Sequence, residues 1–336
     1  MIAHNKPTLG KQEQQAVCKV LDSGYIAQGI EVERFENEFC EFLGLPERFA
    51  VAISSGTSAL FMALWSLNAK NKHIGMPVYV CSALRNAVSM AQAKEILIDN
   101  AVDGPNMCLK QLQESKADIV IAPHIFGLPN KLQEIKNMTV IEDCAQSLGA
   151  SISNIQTGLI GKVGIFSFYA TKLMTSGGQG GMFVSKDRDL VDKVRDYRDF
   201  DYRRDKKYRF NFQMTDIQAA IGRVQLRKLP NFLERRREIF TMYKESGLDL
   251  LESQSNMPVH YRAVIKVNNP VEIKDKLLAQ DIKAIIPIED WELLDSGTKY
   301  KNAYNLTQTT LSLPIYPSLK NKEVEYIIEQ LHKIIK

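Results

Sequence analysis

Two residues near the middle of the sequence have types that could do covalent chemistry together, an acid at Asp143 and a lysine at Lys172. The apolar run at residues 139–141 ends at acidic residues, and an alternating apolar run at 163–168 precedes the lysine. Both runs predict strands. Active sites of α/β folds collect at the carboxyl ends of parallel strands, so we expect the two side chains to be brought together there.

Such a pair suits pyridoxal phosphate chemistry. A lysine amine can condense with the aldehyde of the cofactor, and an acid at the pyridine nitrogen keeps that nitrogen protonated so that the ring accepts electrons. Two plainer interpretations compete with this one. An aspartate at a strand end is often a turn residue, and a lysine in a loop is often only solvated. The pair alone leaves both possibilities open.

Longer stretches of the chain resemble one family. Three of them surround the pair, namely IEDCAQSLGA, GIFSFYATK and GGQGGMFVS. Four more follow the same order elsewhere, namely LDSGYIAQGIEVERFENEFCEFLG, SSGTSAL, RFNFQMTDIQAAIGRVQL and LSLPIYPSL. Together they resemble the DegT/DnrJ/EryC1/StrS family of pyridoxal-phosphate-dependent aminotransferases, which act on nucleotide sugars and aminocyclitols. The resemblance implies Lys172 as the catalytic lysine, with Asp143 and Ser167 as cofactor ligands.

The turn at residues 54–60 predicts a phosphate site. Gly56 lets the chain approach closely, and Thr57 and Ser58 add donors at a helix start, where free N–H groups and a partial positive charge favour a dianion. An ordinary N-cap explains the residues equally well. The resemblance favours the cofactor phosphate.

Three further ligands follow from the resemblance. Gln146 would reach the ring oxygen of the cofactor if the chain turns into a helix after Asp143, because positions three apart then share a face. Asn211 would be donated to the phosphate of the partner subunit, which implies at least a homodimer with two equivalent sites. Cys81 stands where the family often places an aromatic residue against the pyridine ring, so the residue that stacks on the ring stays open.

Two other residues are weaker candidates. His124 follows an apolar run and is interpreted as structural or as facing the cofactor, because the resembled family uses a different proton carrier. Tyr25 lies in a segment that covers the cofactor in the family and could face the substrate. The charged, tyrosine-rich stretch at 193–212 is interpreted as a solvated loop or a nucleotide-diphosphate contact, since four aspartates interrupt its basic residues.

Composition restricts the remaining possibilities. The chain has 336 residues, of which 45% are apolar, and this length is typical of two domains. The net charge of +4 does not argue for nucleic acid. The five cysteines are scattered without a C-x-x-C spacing, so neither disulfides nor a metal site is predicted. No stretch reads as a leader or a membrane span, so a cytoplasmic location is the default expectation.

Short apolar runs alternate with helical stretches through the first half of the chain, which predicts a mainly parallel sheet covered on both faces. An amphipathic helix that ends at Gly24 is predicted near the start of the chain. Later segments predict a strand at 261–267, a helix at 271–280, a strand at 282–286 and a helix from residue 323. A helix break is predicted at Pro230. We expect a large cofactor domain at 1–228, which includes the N-terminal segment, and a smaller α+β domain at 229–336.

The sequence therefore predicts an α/β, fold-type I aminotransferase that moves an amino group, with glutamate the expected donor, to a keto sugar. A nucleotide-linked 4-keto or 3-keto hexose, a keto-cyclitol and other keto sugars remain open as acceptors. One alternative is dehydration on the same fold, although Lys172 favours transfer because related dehydratases carry histidine there. The other is a regulator that keeps the fold without catalysis.

Overall fold

The computed structural model describes residues 1–252, 257–295 and 298–335. Its helices are α1 Lys11–Ser23, α2 Ile30–Leu43, α3 Gly56–Ser66, α4 Ala83–Met90, α5 Leu109–Glu114, α6 Arg188–Arg198, α7 Asp216–Glu245, α8 Pro270–Leu278, α9 Lys301–Thr309 and α10 Asn321–Ile335. Its strands are β1 Ala50–Ile53, β2 His73–Pro77, β3 Lys94–Ile98, β4 Ile119–Pro123, β5 Thr139–Asp143, β6 Ser151–Ile152, β7 Ile155–Gln156, β8 Val163–Ser167, β9 Gly181–Val184, β10 Ala263–Lys266 and β11 Thr310–Leu313.

Seven strands form the central sheet, in the order β1-β9-β8-β5-β4-β2-β3. The strands β3, β2, β4, β5 and β8 are parallel, whereas β9 is antiparallel to both of its neighbours. The predicted, mainly parallel sheet is thus confirmed. The carboxyl ends of β2, β4, β5 and β8 lie along one edge, which is where an α/β fold builds its site.

Both faces of this sheet are buried, as β1 illustrates. Val51 and Ile53 belong to one hydrophobic cluster, which also contains residues of α3, α4 and α6. Ala50 and Ala52 belong to a second cluster, which contains residues of α2 and α7. Because successive side chains of a strand point to opposite faces, this division means that helices cover the sheet on both sides.

A smaller α+β unit follows the central sheet. Antiparallel strands β10 and β11 pack with α8, α10 and the C-terminal part of α7 around a third cluster. The strand predicted at 282–286 is absent, and this prediction was wrong. Ile282 bridges to Ile2 and Ile285 bridges to Ser312, so the segment pairs with two different neighbours and forms a ladder with neither.

Helix α7 joins the two units without interruption. The break predicted at Pro230 was also wrong, because the helix continues from Asp216 to Glu245 with the proline inside it. A proline in a helix interior costs about 3 kcal/mol. The first half of α7 packs against α1 and α2 and the second half against α10, and this tertiary packing offsets the cost.

The N-terminal segment reaches the middle of the molecule. Ile2 lies beside Ile282 in the smaller unit, and the side-chain amide of Asn5 donates to the carbonyl of Thr171 at 2.8 Å. Helix α1 then ends at Gly24, whose φ of 74° confirms the predicted glycine cap. Across the described ranges, every helix is too short or too polar to cross a lipid bilayer.

Candidate active site

Asp143 is the last residue of β5, and its side chain is buried with 8% of its surface exposed. One carboxylate oxygen accepts the backbone N–H of Ala145 at 3.0 Å. Within the described ranges, no other group donates a hydrogen bond to this carboxylate. Burial raises the pKa of Asp143 above its ordinary value, against the opposing effects of the Ala145 N–H and of the positive charge of Lys172.

Lys172 lies in the loop between β8 and β9. Its backbone N–H donates to the carbonyl of Tyr169 at 3.0 Å, which fixes a turn at the lysine. The side chain is half-buried, and its Nζ lies 5.3 Å from the centroid of the Tyr261 ring. The charge of this ammonium group lowers the pKa of Asp143. The two groups are therefore close enough to interact electrostatically.

The turn before α3 packs directly against the end of β8. A Cβ added at Gly56 would meet the Cβ of Ser167 at 2.7 Å, so only glycine allows this approach. Ser55 is the N-cap of α3, and its Oγ accepts the N–H of Ser58 at 3.1 Å. The N–H groups of Gly56 and Thr57 donate to no group that the structure describes, which leaves them available to an anion beside Ser167.

Gln146 lies beyond Asp143 in a run of turns. The helix on which its predicted placement depended is not formed there. Its Oε1 accepts the backbone N–H of Phe126 at 2.8 Å. This bond fixes the side chain, and the amide NH₂ makes no hydrogen bond within the described part of the chain, so it can donate to a ligand.

Cys81 follows β2, two positions from β5 in the sheet order. The residue is exposed, yet burial and the charge of Asp143 raise the pKa of its thiol while the charge of Lys172 lowers it. A side chain that is open to solvent and nonetheless surrounded by protein lines a cleft. Cys81 therefore lies within electrostatic range of both Asp143 and Lys172.

Two of the predicted residues lie on exposed segments. Asn211 is exposed, and its Oδ1 accepts the N–H of Gln213 at 3.0 Å. The next residue, Phe212, accepts the N–H of Ser54 at 2.8 Å, so the segment runs beside the turn before α3. Tyr25 is 82% exposed. Neither side chain contacts Lys172 or Asp143.

Sequence reasoning missed three residues around the lysine, namely Tyr261, Arg262 and Asn5. Tyr261 is buried beside Lys172, and Arg262 lies on the other side of the same region, with its Cζ 5.5 Å from the Tyr261 ring centroid. Both residues precede β10, about ninety positions after Lys172, and no local pattern links the two stretches. The packing of the smaller unit, together with backbone hydrogen bonds from Val259 and Arg262 to the carbonyls of Gly127 and Phe126, brings them together.

Comparisons with known proteins identify the family. The family model described as "DegT/DnrJ/EryC1/StrS aminotransferase family" matches residues 7–332. The chain belongs to this family. It is accordingly a pyridoxal-phosphate-dependent aminotransferase of fold type I.

Individual relatives match over almost their whole length. The chain is 28% identical to GDP-perosamine synthase of Escherichia coli O157:H7, over 98% of this chain and 97% of that protein. It is 27% identical to dTDP-4-dehydro-2,3,6-trideoxy-D-glucose 4-aminotransferase of Saccharopolyspora spinosa, over 100% of this chain and 97% of that protein. The aminotransferase TlmJ from Streptoalloteichus hindustanus has the same fold, with a TM-score of 0.92 at 24% identity, over 99% of this chain and 98% of that one.

The cleft fits pyridoxal phosphate by the chemistry of its donors. Asp143 offers a buried acid that has a single backbone donor, which suits a pyridine nitrogen. Two free N–H groups and a serine hydroxyl meet at the start of α3, which suits a phosphate. Lys172 carries the amine that the aldehyde needs.

Proposed function

We propose that the chain transfers an amino group from an amino acid, with glutamate the expected donor, to the keto group of a nucleotide-linked sugar. The observation that carries the proposal is the buried carboxyl of Asp143, which has one backbone donor and lies within electrostatic range of the Lys172 amine. The names of the relatives, which include a GDP-sugar synthase and a dTDP-sugar aminotransferase, support the choice of acceptor class.

Lys172 and Asp143 have the central roles in this proposal. Bound pyridoxal phosphate supplies an aldehyde that receives the amino group and a ring that accepts negative charge from the reacting carbon. Lys172 would hold the cofactor through its amine and, when that amine is free, would move a proton between the two carbon atoms that change. Asp143 holds a proton at the pyridine nitrogen, and its buried position keeps water from competing for that proton.

The remaining residues hold and orient the cofactor. Gly56, Thr57, Ser58 and Ser167 bind the phosphate through backbone N–H and hydroxyl groups. We assign Asn211 to the phosphate of the partner subunit, so a homodimer would be the active form.

Gln146 and Cys81 complete the cofactor site in this proposal. Gln146 donates its amide NH₂ to the ring oxygen, since its carbonyl is already used by Phe126. Cys81 lies against one face of the ring. A thiol covers less of that face than an aromatic ring would, so this side of the cofactor contributes less stacking energy.

The acceptor class stays broad within this proposal. A 4-keto or 3-keto hexose on a nucleotide carrier fits best, followed by a keto-cyclitol or another keto sugar. We also propose a cytoplasmic location and a division into cofactor and small domains at residues 228 and 229. The division falls inside α7, directly before Leu229, which is the last residue of this helix in the second hydrophobic cluster, whereas the third cluster begins at Ile239.

The direct test is cofactor fixation. Purified protein is incubated with pyridoxal phosphate, reduced with borohydride and digested, and the modified peptide is identified by mass spectrometry. We expect the label on Lys172, and we expect Lys172→Ala to lose both the label and all transfer. The matched control is Lys110→Ala, which removes an exposed lysine on α5 and should leave labelling intact.

Turnover separates the rival functions. With glutamate and a panel of nucleotide-linked keto sugars, an aminotransferase accumulates 2-oxoglutarate together with an amino sugar. Loss of water from the sugar without 2-oxoglutarate would replace transfer by dehydration. A protein that stays unlabelled and colourless after cofactor addition, and that binds DNA in a salt-dependent, sequence-selective way, would be a regulator instead.

A further inference from the structure

Three positive side chains act on one buried ring next to Lys172. Tyr261 is 6% exposed. Lys172 Nζ lies 5.3 Å and Arg262 Cζ lies 5.5 Å from its ring centroid, and both charges, together with that of Arg236, hold the pKa of the Tyr261 hydroxyl below its ordinary value in spite of burial. The small-unit side of the cleft therefore carries a concentrated positive potential.

Three buried or half-buried arginines elsewhere in the molecule have carboxylate partners. Arg195 and Arg198 both bind Glu36, and Arg223 binds Glu31 and Glu38. These pairs neutralise their own charge.

Arg262 differs from those pairs. No aspartate or glutamate among the described residues forms an ion pair with it. Its polar side-chain contact is with the ring of His4, whose Nε2 lies 3.4 Å from Arg262 Nη1 and 2.9 Å from Ser312 Oγ. Burial and the charges of Arg262, Lys283 and Arg236 lower the pKa of His4 to about 3, so the ring is neutral and does not offset the guanidinium charge.

Arg236 strengthens this potential without being available itself. It is 1% exposed, and its Nη1 donates to the carbonyls of His260, Tyr261 and Ile315 at 3.1 to 3.3 Å. These bonds hold it behind Tyr261. Arg262 is half-buried, so part of the residue remains accessible to solvent.

We propose that Arg262 binds the α-carboxylate of the amino-acid donor, in a subsite bounded by Tyr261 and Lys172. The inference rests on the proposed transfer from an amino acid and adds the residue that selects the donor. A guanidinium suits a carboxylate because its planar fork can form two parallel charge-assisted hydrogen bonds. Arg262 is fixed by His4 and Tyr261, so little conformational freedom is lost on binding.

Distance favours the donor carboxylate over the diphosphate of a nucleotide sugar. In an amino acid the carboxylate is attached to the carbon that carries the transferred nitrogen. In a 4-keto hexose the diphosphate is attached to C1, on the opposite side of the sugar ring from the reacting carbon. An anion site that shares one aromatic ring with Lys172 lies close to the reacting nitrogen, and only the first arrangement places an anion there.

Steady-state kinetics with two donors test the subsite. Glutamate is compared with 4-aminobutyrate, which is glutamate without its α-carboxylate. For wild type we expect a clear preference for glutamate. Arg262→Met should raise the KM for glutamate by about 10- to 100-fold, as expected for a lost charge-assisted pair, and should leave 4-aminobutyrate almost unchanged.

Two variants control this experiment. Arg262→Lys keeps the charge without the fork and should recover part of the preference. Arg237→Met makes the same change at an exposed arginine whose partner is Glu234, and should not affect the KM for either donor. An equal effect of Arg262→Met on both donors, or a rise confined to the KM of the nucleotide sugar, would overturn the proposal. The second result would assign Arg262 to the diphosphate.

Equilibrium binding gives a readout that does not depend on catalysis. Glutarate, a dicarboxylate that cannot transfer an amino group, is titrated calorimetrically into wild type, Arg262→Met and Arg237→Met, each without cofactor. We expect at least tenfold weaker binding for Arg262→Met alone. Equal affinity in all three proteins would refute the subsite even if transfer is active, whereas a selective loss in a protein without transferase activity would refute only the proposed function.

Discussion

Glu142 and Asp143 are consecutive buried acids at the end of β5, and they differ in how many hydrogen-bond donors the protein provides to each. Glu142 accepts the N–H groups of Gly158, Ile160 and Gly161 at 2.6 to 2.8 Å and faces the ring nitrogen of His124 at 3.2 Å. Asp143 points to the other face of the strand and receives only the Ala145 N–H. The chain itself satisfies the first carboxylate and leaves the second largely without donors.

This difference assigns a structural role to Glu142 and a functional role to Asp143. A buried carboxylate with several donors orders the chain around it, and here it fixes the turn that leads into β8. His124 belongs to this structural side. Its Nδ1 accepts the N–H of Asn130 at 2.9 Å, so its proton is on Nε2 and is donated to Glu142. A buried carboxyl with one donor has a free-energy cost in the empty protein, which a pyridinium N–H would remove.

The largest expected effect is on catalysis at Asp143. Asp143→Asn keeps the size of the side chain and removes the acid that holds the ring proton. We expect kcat to fall on the order of 10²- to 10³-fold, comparable to the loss of one strong electrostatic contact at a reacting centre. Single-turnover absorbance with glutamate measures the step directly. A variant that reacts at the wild-type rate would show that Asp143 does not contact the cofactor ring.

Glu142→Gln should act on stability instead. The amide keeps one acceptor but places an NH₂ group against backbone donors that now have no acceptor. The free energy of unfolding should fall by about 2–4 kcal/mol. Urea denaturation measures it, and borohydride labelling at Lys172 should persist wherever the variant is folded. Loss of labelling from a variant with wild-type stability would contradict the structural role of Glu142.

Much of the fold follows from local pattern. The five parallel strands coincide with apolar runs bounded by polar residues, and the glycine at position 24 ends α1 where the sequence predicts it. The failures have physical causes. Pro230 signals a break that packing against α1, α2 and α10 overrides. Ile282 and Ile285 have strand-like spacing but find different partners, Ile2 and Ser312.

The residues of the candidate site likewise divide into those that the sequence identifies and those that only the structure reveals. Asp143, Ser167 and Lys172 stand in contiguous motifs and could be picked out from the sequence. Tyr261 and Arg262 could not, because they reach Lys172 only through the packing of the smaller unit. The family resemblance gave no signal for them either. Residues that are positioned by long-range packing can be identified only from coordinates. Residues at strand ends can be identified from the sequence once the strand is predicted.

The smallest expected effect is a gain in stability from Asp143→Asn, the same substitution that slows catalysis. The folded-state pKa of Asp143 is raised, so the folded protein binds this proton more tightly than the unfolded chain does. The stability that this protonation contributes is complete at pH values below the ordinary pKa of an aspartate. It is lost as the pH rises through the folded-state pKa of Asp143. Above that range the cofactor-free protein carries a buried negative charge with one donor.

Cofactor-free Asp143→Asn should therefore be more stable than wild type at neutral pH, by about 1 kcal/mol, and the advantage should disappear on acidification towards pH 4. Urea denaturation at a series of pH values measures both proteins. Glu142→Gln is the control, since it should be less stable than wild type at neutral pH. If Asp143→Asn were as destabilising as Glu142→Gln, the two acids would be equivalent supports of the fold, and the contrast between the two faces of β5 would fail.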